Sequence, residues 1–356
     1  MRAVRFIATI CVVVTTVGCG GSRAGAPAGA SASGGGSPVA AEPGPSKVGV
    51  GVVGSASDAG LFIAEEKGYF AQQKIEVETT RFSTAADMVA PLGRGQLDVG
   101  AGAPSAGLLN AIARDIPLKI VADKGNVNPG FGFQAIMIRK DLWDAGVRGP
   151  ADLRGRTVAI NARDITPEVL LDHYLRSGGL TINDVNVVTL GFADMFSGFA
   201  NGSVDAAFPI EPFVTQIVES GTAVIAVRAD AVLPGQQVAV ILYGPNFAQN
   251  TDLARRFMVA YIQGVRDYND AFAKNDPAKK ADVSDILARN TPVKDLSLYD
   301  KMVMPGLNPN GRVNLDSLND SQNWWIEKGS QGARADLSKV VDDQYVDYAV
   351  KLLGAY

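Results

Sequence analysis

Two cysteines and one histidine bound the chemistry open to this chain. A zinc site needs about four Cys, His or carboxylate ligands, and a Cys–His pair needs a cysteine in the folded protein. Both cysteines, Cys11 and Cys19, fall in the first 19 of 356 residues. The lone His173 lies mid-helix in Leu170-Leu171-Asp172-His173-Tyr174-Leu175 and reads as a partly buried structural residue. No Ser/His/Asp arrangement is visible, so neither a hydrolase nor a metal enzyme is indicated, and no cofactor motif stands. Gly49-Val50-Gly51-Val52-Val53-Gly54 matches the dinucleotide pattern G-x-G-x-x-G. That pattern must follow a strand, whereas these residues form the strand themselves. What remains is a set suited to binding. Ser57, Asp58, Ser105, Asn126, Asn161, Arg163, Thr166 and Glu211 supply hydrogen bonds and charge. Phe82, Phe131, Phe192, Met195 and Phe208 supply apolar and aromatic surface.

These residues share one property, which is their place in loops that follow strands. From Lys47 onward, strands alternate with single helices. The strands are read at 48–53, 75–80, 97–101 and 118–122, with helices at 59–67, 84–92 and 104–114 between them. That order predicts a parallel, doubly wound sheet. The pattern then repeats, with strands at 157–160, 185–190, 204–208 and 223–227, and helices at 167–176, 194–201 and 212–219. Gly95-Gln96-Leu97-Asp98-Val99 parallels Gly202-Ser203-Val204-Asp205-Ala206 at an offset of 107, and Phe82 parallels Phe192 at 110. A period that long means two similar lobes rather than a solenoid. In such sheets ligands sit beyond the carboxyl ends of the strands, near helix N-termini. Segments 246–356 read as mostly helical, packing back on the first lobe, with Trp324 and Trp325 as anchors.

Before Lys47 the chain has a different character. Arg2 and Arg5 precede an apolar run of 12 residues, Phe6 to Val17, too short for a span of ~20 residues and suited to a signal peptide. Val17-Gly18-Cys19 resembles a lipoprotein cleavage site, with Thr16 where a Leu is usual. Residues 1–18 are therefore expected to be removed and Cys19 to carry a lipid. Between Gly20 and Ser46, all but Arg23, Val39 and Glu42 are Gly, Ala, Ser or Pro, a composition that cannot offset its ordering entropy and acts as a tether. A formal charge of −4 and the lack of a basic stripe argue against a nucleic-acid partner.

Several motifs together resemble one family. They are Gly60-Leu61-Phe62-Ile63-Ala64-Glu65-Glu66-Lys67-Gly68-Tyr69-Phe70 followed by Ile75-Glu76-Val77-Glu78, then Gly95-Gln96-Leu97-Asp98-Val99-Gly100. Ile116-Pro117-Leu118-Lys119-Ile120-Val121 and Asp152-Leu153-Arg154-Gly155-Arg156-Thr157-Val158-Ala159 continue the likeness. The chain from about Lys47 to Val240 is similar to the nitrate/sulfonate/taurine and thiamine-pyrimidine-precursor group of ABC-importer solute-binding proteins. The resemblance implies an α/β fold of the periplasmic-binding-protein type II kind, two doubly wound lobes joined by a hinge of crossing strands. Gly132–Ile138 and Val238–Leu242 would be those strands. Lobe one would take 47–131 and 239–356, lobe two 132–238. The implied partners are a small ligand, permease and ATPase subunits, and a membrane reached through Cys19, with the protein itself a monomer. A thiamine-pyrimidine synthase shares this fold but depends on a cysteine-rich motif and a histidine that the mature chain does not offer. An exported sensor subunit remains a third reading. For the ligand, the aromatic set together with Glu211 and Asp58 favours a neutral heterocycle, riboflavin or a thiamine pyrimidine precursor. Arg163, Ser105, Ser57 and Thr166 would instead suit a sulfonate, taurine or nitrate.

Overall fold

A computed structural model describes residues 44–356 of the chain as one compact unit. The signal peptide, Cys19 and nearly all of the tether lie outside those residues. The ten strands of the described residues are β1 (Ser46–Val52), β2 (Ile75–Arg81), β3 (Val99–Gly102), β4 (Lys119–Asn126) and β5 (Ala135–Arg139), then β6 (Thr157–Ile160), β7 (Asn186–Thr189), β8 (Ala206–Ala207), β9 (Ala223–Arg228) and β10 (Gln237–Tyr243). They build two five-stranded sheets, ordered β2-β1-β3-β10-β4 and β7-β6-β8-β5-β9.

Both sheets are mixed, which corrects the expectation of purely parallel ones. In the first, β1 runs parallel to β2 and β3, while β10 is antiparallel to both β3 and β4. In the second, β6 is parallel to β7 and β8, while β5 is antiparallel to β8 and β9. The physical reason is the crossing itself. β5 leaves the first sheet to enter the second and β10 returns, so each arrives against the direction of its hosts. The two sheets thus have the same order, with one foreign strand in the same slot.

Local chemistry explains the elements. In β1 the valines at 48, 50 and 52 are buried, and the intervening glycines make room. A Cβ on Gly51 would stand 2.8 Å from Leu97 and 3.1 Å from the Phe82 ring, so this glycine exists for packing. The helix Ala59–Glu66 lies against the long helix Thr251–Phe272 at a close approach, where a Cβ on Gly264 would stand 2.2 Å from the Gly60 carbonyl oxygen. These two helices, with Pro277–Asn290 and Gln344–Leu353, enclose an apolar core containing Phe70, Phe257, Tyr243 and Tyr345.

The last third of the chain does not pack on the first sheet alone. The helix Leu315–Lys328 reaches the helix Thr166–Ser177 of the second sheet, where Trp324 Nε1 donates to Asp172 Oδ2 at 2.8 Å. Trp325 is fully buried beside it. His173 is exposed on the Thr166–Ser177 helix, not partly buried as its neighbours suggested, because Leu171 and Tyr174 take the inward face. No described helix is long and apolar enough to cross a membrane.

Candidate functional site

A small cavity of about 50 Å³, or about 410 Å³ when its mouth and the adjoining open solvent are counted, lies between the two sheets. Its walls come from the carboxyl ends of strands in both. Val53, Ser55 and Ser57 follow β1, and Gly102 and Ala103 end β3. From the second sheet, Asn161 and Ile165 follow β6, Phe192 follows β7 and Ile210 follows β8. The two crossing connections complete it, Phe133 and Gln134 entering β5, Val238 and Ala239 in β10, with Lys124 from β4.

One buried ion pair sits in that wall. Lys124 and Asp58 are 2% and 0% exposed at the side chain and meet at 2.7 Å. The Lys124 ammonium also donates to Ser57 Oγ at 2.9 Å. Asp58 is fixed from the other side, since the backbone N–H groups of Gly54 and Ser55 both donate to Oδ2 at 2.8 Å. The turn after β1 is therefore folded around a carboxylate at a helix N-terminus, and the carboxylate in turn holds the lysine. Gln134 is buried and its Oε1 has no hydrogen-bond partner.

Next to this pair lies Asp123, a hub where the two crossing regions meet the C-terminal segment. It accepts from Asn308 N at 2.6 Å, Gly125 N at 3.1 Å, Asn126 Nδ2 at 3.2 Å and the Gln237 amide. Its burial outweighs those bonds and pushes its pKa up to about 6. Glu211 is likewise raised, first by burial, against the opposing effect of the Thr215 N–H and Arg228.

The sequence-derived residues divide between the cavity and its surroundings. Ser57, Asn161 and Phe192 line it, and Asp58 stands directly behind Lys124. Phe82 lies under Gly51, packed on the core. Ser105 caps the helix Ala106–Ala113 by accepting from Leu108 N at 3.0 Å, and pairs by its backbone with Ile165 of the other sheet. Asn126 serves Asp123, and Phe131 is half-buried in the turn before β5. Arg163 pairs with Glu168 at 3.1 Å, and Thr166 Oγ1 donates to the Val238 carbonyl at 3.1 Å. Met195 and Phe208 are fully buried in core clusters. Glu211 accepts from Thr215 N at 3.0 Å and from Val303 N at 3.3 Å, joining the second sheet to the C-terminal segment. Lys124 and Gln134 were not singled out by sequence reading. The signal for Lys124 was weak, a second charged residue after Asp123 at the end of the apolar run Ile120-Val121-Ala122. Gln134 offered none.

Paired α/β sheets of one order, exchanging one strand each and enclosing a cavity at their carboxyl edges, define a two-lobe binding fold. The sequence model described as NMT1/THI5 like matches residues 55–278, and the chain belongs to that family. A candidate binding protein of Brucella abortus strain 2308 is 27% identical over 228 residues, 62% of this chain and 65% of that protein, so the match spans just under two thirds of the relative's length. Among solved structures, the alkanesulfonate-binding protein SsuA of Xanthomonas axonopodis pv. citri, bound to MOPS, is similar at a TM-score of 0.68 and 17% identity, over 85% of this chain and 99% of that one. The periplasmic nitrate-binding protein NrtA of Synechocystis PCC 6803 is similar at 0.67 and 15%, over 87% and 89% of the two chains. The desulfurization enzyme DSZB is similar at 0.58 and 16%, over 86% and 99%. At these identities the likeness is one of fold, and that fold serves binders and at least one enzyme.

Proposed function

We propose that this chain is an extracytoplasmic solute-binding lipoprotein of an ABC importer, which captures a small ligand in the cavity between its sheets. In this reading, residues 47–131 with 239–356 and residues 132–238 are the two lobes, and Cys19 carries the lipid that holds the protein at the outer face of the cell membrane. It works as a monomer and hands its ligand to permease and ATPase subunits. The membership in the NMT1/THI5-like family and the sulfonate-binding and periplasmic nitrate-binding proteins among the fold neighbours support this. An enzyme finds little support. The described residues hold no cysteine, and His173 lies on an exposed helix face away from the cavity lining.

The observation that carries the ligand class is the balance of the cavity wall. Its one cation, Lys124, is already neutralised by Asp58, and the rest of the lining is apolar or uncharged. A neutral ligand enters such a site without leaving a net buried charge. Phe133 and Phe192, with Val53, Ile165 and Ile210, offer apolar contact to a flat ring. We therefore favour a heterocyclic vitamin or precursor, and the limited space favours a single-ring thiamine pyrimidine precursor over the larger riboflavin. A sulfonate or taurine is the second reading, supported by the Lys124 ammonium beside the Ser57 hydroxyl.

A thermal-shift titration with riboflavin, thiamine pyrimidine precursors, taurine, alkanesulfonates and nitrate tests both. A ligand of the folded state alone adds about 2.7 kcal/mol at a hundredfold excess over Kd. A shift with a heterocycle supports the first reading. A shift confined to sulfonates or nitrate replaces it with the second. For the anchor, Cys19→Ser is expected to abolish the lipid mass increment and release the protein from the membrane, and a retained increment overturns that assignment.

A further inference from the structure

Asp58 folds the turn after β1, but Lys124 and Gln134 have no evident task in holding the fold. Desolvating an ion pair costs several kcal/mol per ion before the mutual attraction is counted, and apolar residues of like size are commonly as stable. Yet this pair is kept, and kept in the wall of the cavity rather than in a core.

Hydrogen-bond accounting shows what the three groups leave open. An ammonium has three N–H donors. Lys124 donates one to Ser57 Oγ at 2.9 Å and faces Asp58 Oδ1 at 2.7 Å as an ion pair outside hydrogen-bond alignment, Oδ1 being without a hydrogen-bond partner. Asp58 is locked by two backbone N–H groups, so the lysine is held in one place with N–H donors to spare at the cavity that it lines. Gln134 is the complementary case. It is 1% exposed, it lines the same cavity, and its Oε1 has no partner. A buried amide oxygen left unpaired carries its full desolvation penalty until something donates to it. A lysine with donors to spare and a glutamine whose amide oxygen is unfilled thus line one cavity, with the Lys124 charge balanced by Asp58.

We propose that Lys124, positioned by Asp58, and Gln134 together read a neutral nitrogen heterocycle that presents an acceptor and an N–H donor side by side, as a lactam or an aminopyrimidine does. The acceptor atom takes a spare Lys124 proton, and the N–H donates to Gln134 Oε1. A sulfonate or nitrate offers acceptors only and leaves the Gln134 oxygen unfilled. Asp58 here is a positioning residue, since it acts through Lys124. The inference rests on the heterocycle reading above and adds the edge by which the ring is recognised.

The test is isothermal calorimetry on the full chain with riboflavin, 4-amino-5-hydroxymethyl-2-methylpyrimidine and taurine. Gln134→Met breaks no bond that the described residues make to that side chain, so it is expected to fold. It should weaken the bound heterocycle about tenfold or more, whereas Gln134→Glu, which keeps an acceptor, should weaken it less. Lys124→Met alone would strand a buried Asp58, so the Asp58→Asn/Lys124→Met double variant is used, again with about a tenfold loss expected. Unchanged heterocycle affinity in Gln134→Met and the double variant, with a loss in Phe192→Ala, overturns the edge recognition and leaves the heterocycle reading standing. Binding of taurine alone, or of neither heterocycle, overturns both.

Discussion

Phe82 and Phe192 occupy matching places in the two halves of the sequence, 110 residues apart, yet the structure gives them different surroundings. Phe192 lines the cavity and stacks on Phe213 at 5.8 Å, while Phe82 fills the space left by Gly51. Phe192→Ala is therefore expected to weaken ligand binding by about 0.5–1.5 kcal/mol beyond lost area, measured by calorimetry. Phe82→Ala should instead lower stability, by about 2–4 kcal/mol in urea unfolding for a partly buried ring, with affinity little changed. The reverse pattern would exchange their roles. Asp123 allows a prediction about pH. Its folded pKa of about 6 lies above the ordinary aspartate value of 3.8, so between those values the folded state holds the proton more tightly than the unfolded one. Its contribution to stability is thus greatest below about pH 4 and falls as pH rises through 6, by up to about 3 kcal/mol. Asp123→Asn removes that titration. Urea unfolding at a series of pH values from 4 to 7 should show a loss with rising pH in the wild type that is flatter in the variant; parallel slopes would mean that Asp123 is not the group responsible.

At the level of elements, the valine alternation of β1 and the compact apolar run of β6 were legible, because a buried face writes its period into the sequence. The direction of β5 and β10 was not, because it follows from the path between sheets and not from any residue within the strand. β4 was read as ending at Ala122, since Asp123 and Lys124 look like a solvated turn. The fold continues the strand and buries both, satisfying one with amides and the other with Asp58. That is why the cavity's lysine was missed while its serine, asparagine and phenylalanine in loops were found. The span of the helix Leu315–Lys328 was equally hidden, for its partners on and beside the Thr166–Ser177 helix are more than 140 residues earlier in the chain. Lys328 reaches Asp164 and the fully buried Glu168, both at 2.8 Å. Lys328→Ala leaves Glu168 with Arg163 as its remaining cation. A loss of about 1–3 kcal/mol in urea unfolding is expected, less than for a wholly buried pair because Lys328 is partly exposed. A change within 0.5 kcal/mol, the usual range for surface substitutions, would show that this helix is held by Trp324 and Trp325 alone.

For the whole molecule, the repeated sheet order means that matching positions in the two halves flank one cleft from opposite sides. Contacts now tie those halves together around the cavity. Ser105 pairs with Ile165, Ala106 N donates to the Asp164 carbonyl at 2.9 Å, Glu211 takes the Val303 N–H, and Lys301 pairs with Glu219. These four are polar and can be exchanged for water at small cost, whereas the Leu315–Lys328 helix joins the halves through the buried Trp324 and Trp325. If the proposed capture works by hinge closure about the crossing strands, these contacts part on entry and are remade once the solute is held. Ala86 and Ala193 report on this directly, both being exposed and lying just beyond β2 and β7. With Cys11 and Cys19 changed to Ser, spin labels at Ala86→Cys and Ala193→Cys are the only reactive thiols. Pulsed electron resonance should give a longer or broader distance distribution without ligand, and a single shorter one once a ligand from the thermal-shift screen is added. Because a ligand shifts such an equilibrium only by its differential affinity for the closed form, the shift should saturate at the same concentration as the calorimetric titration. An identical distribution with and without ligand would mean that the cleft is preformed and rigid, and that capture proceeds through the mouth of the cavity without movement of the lobes.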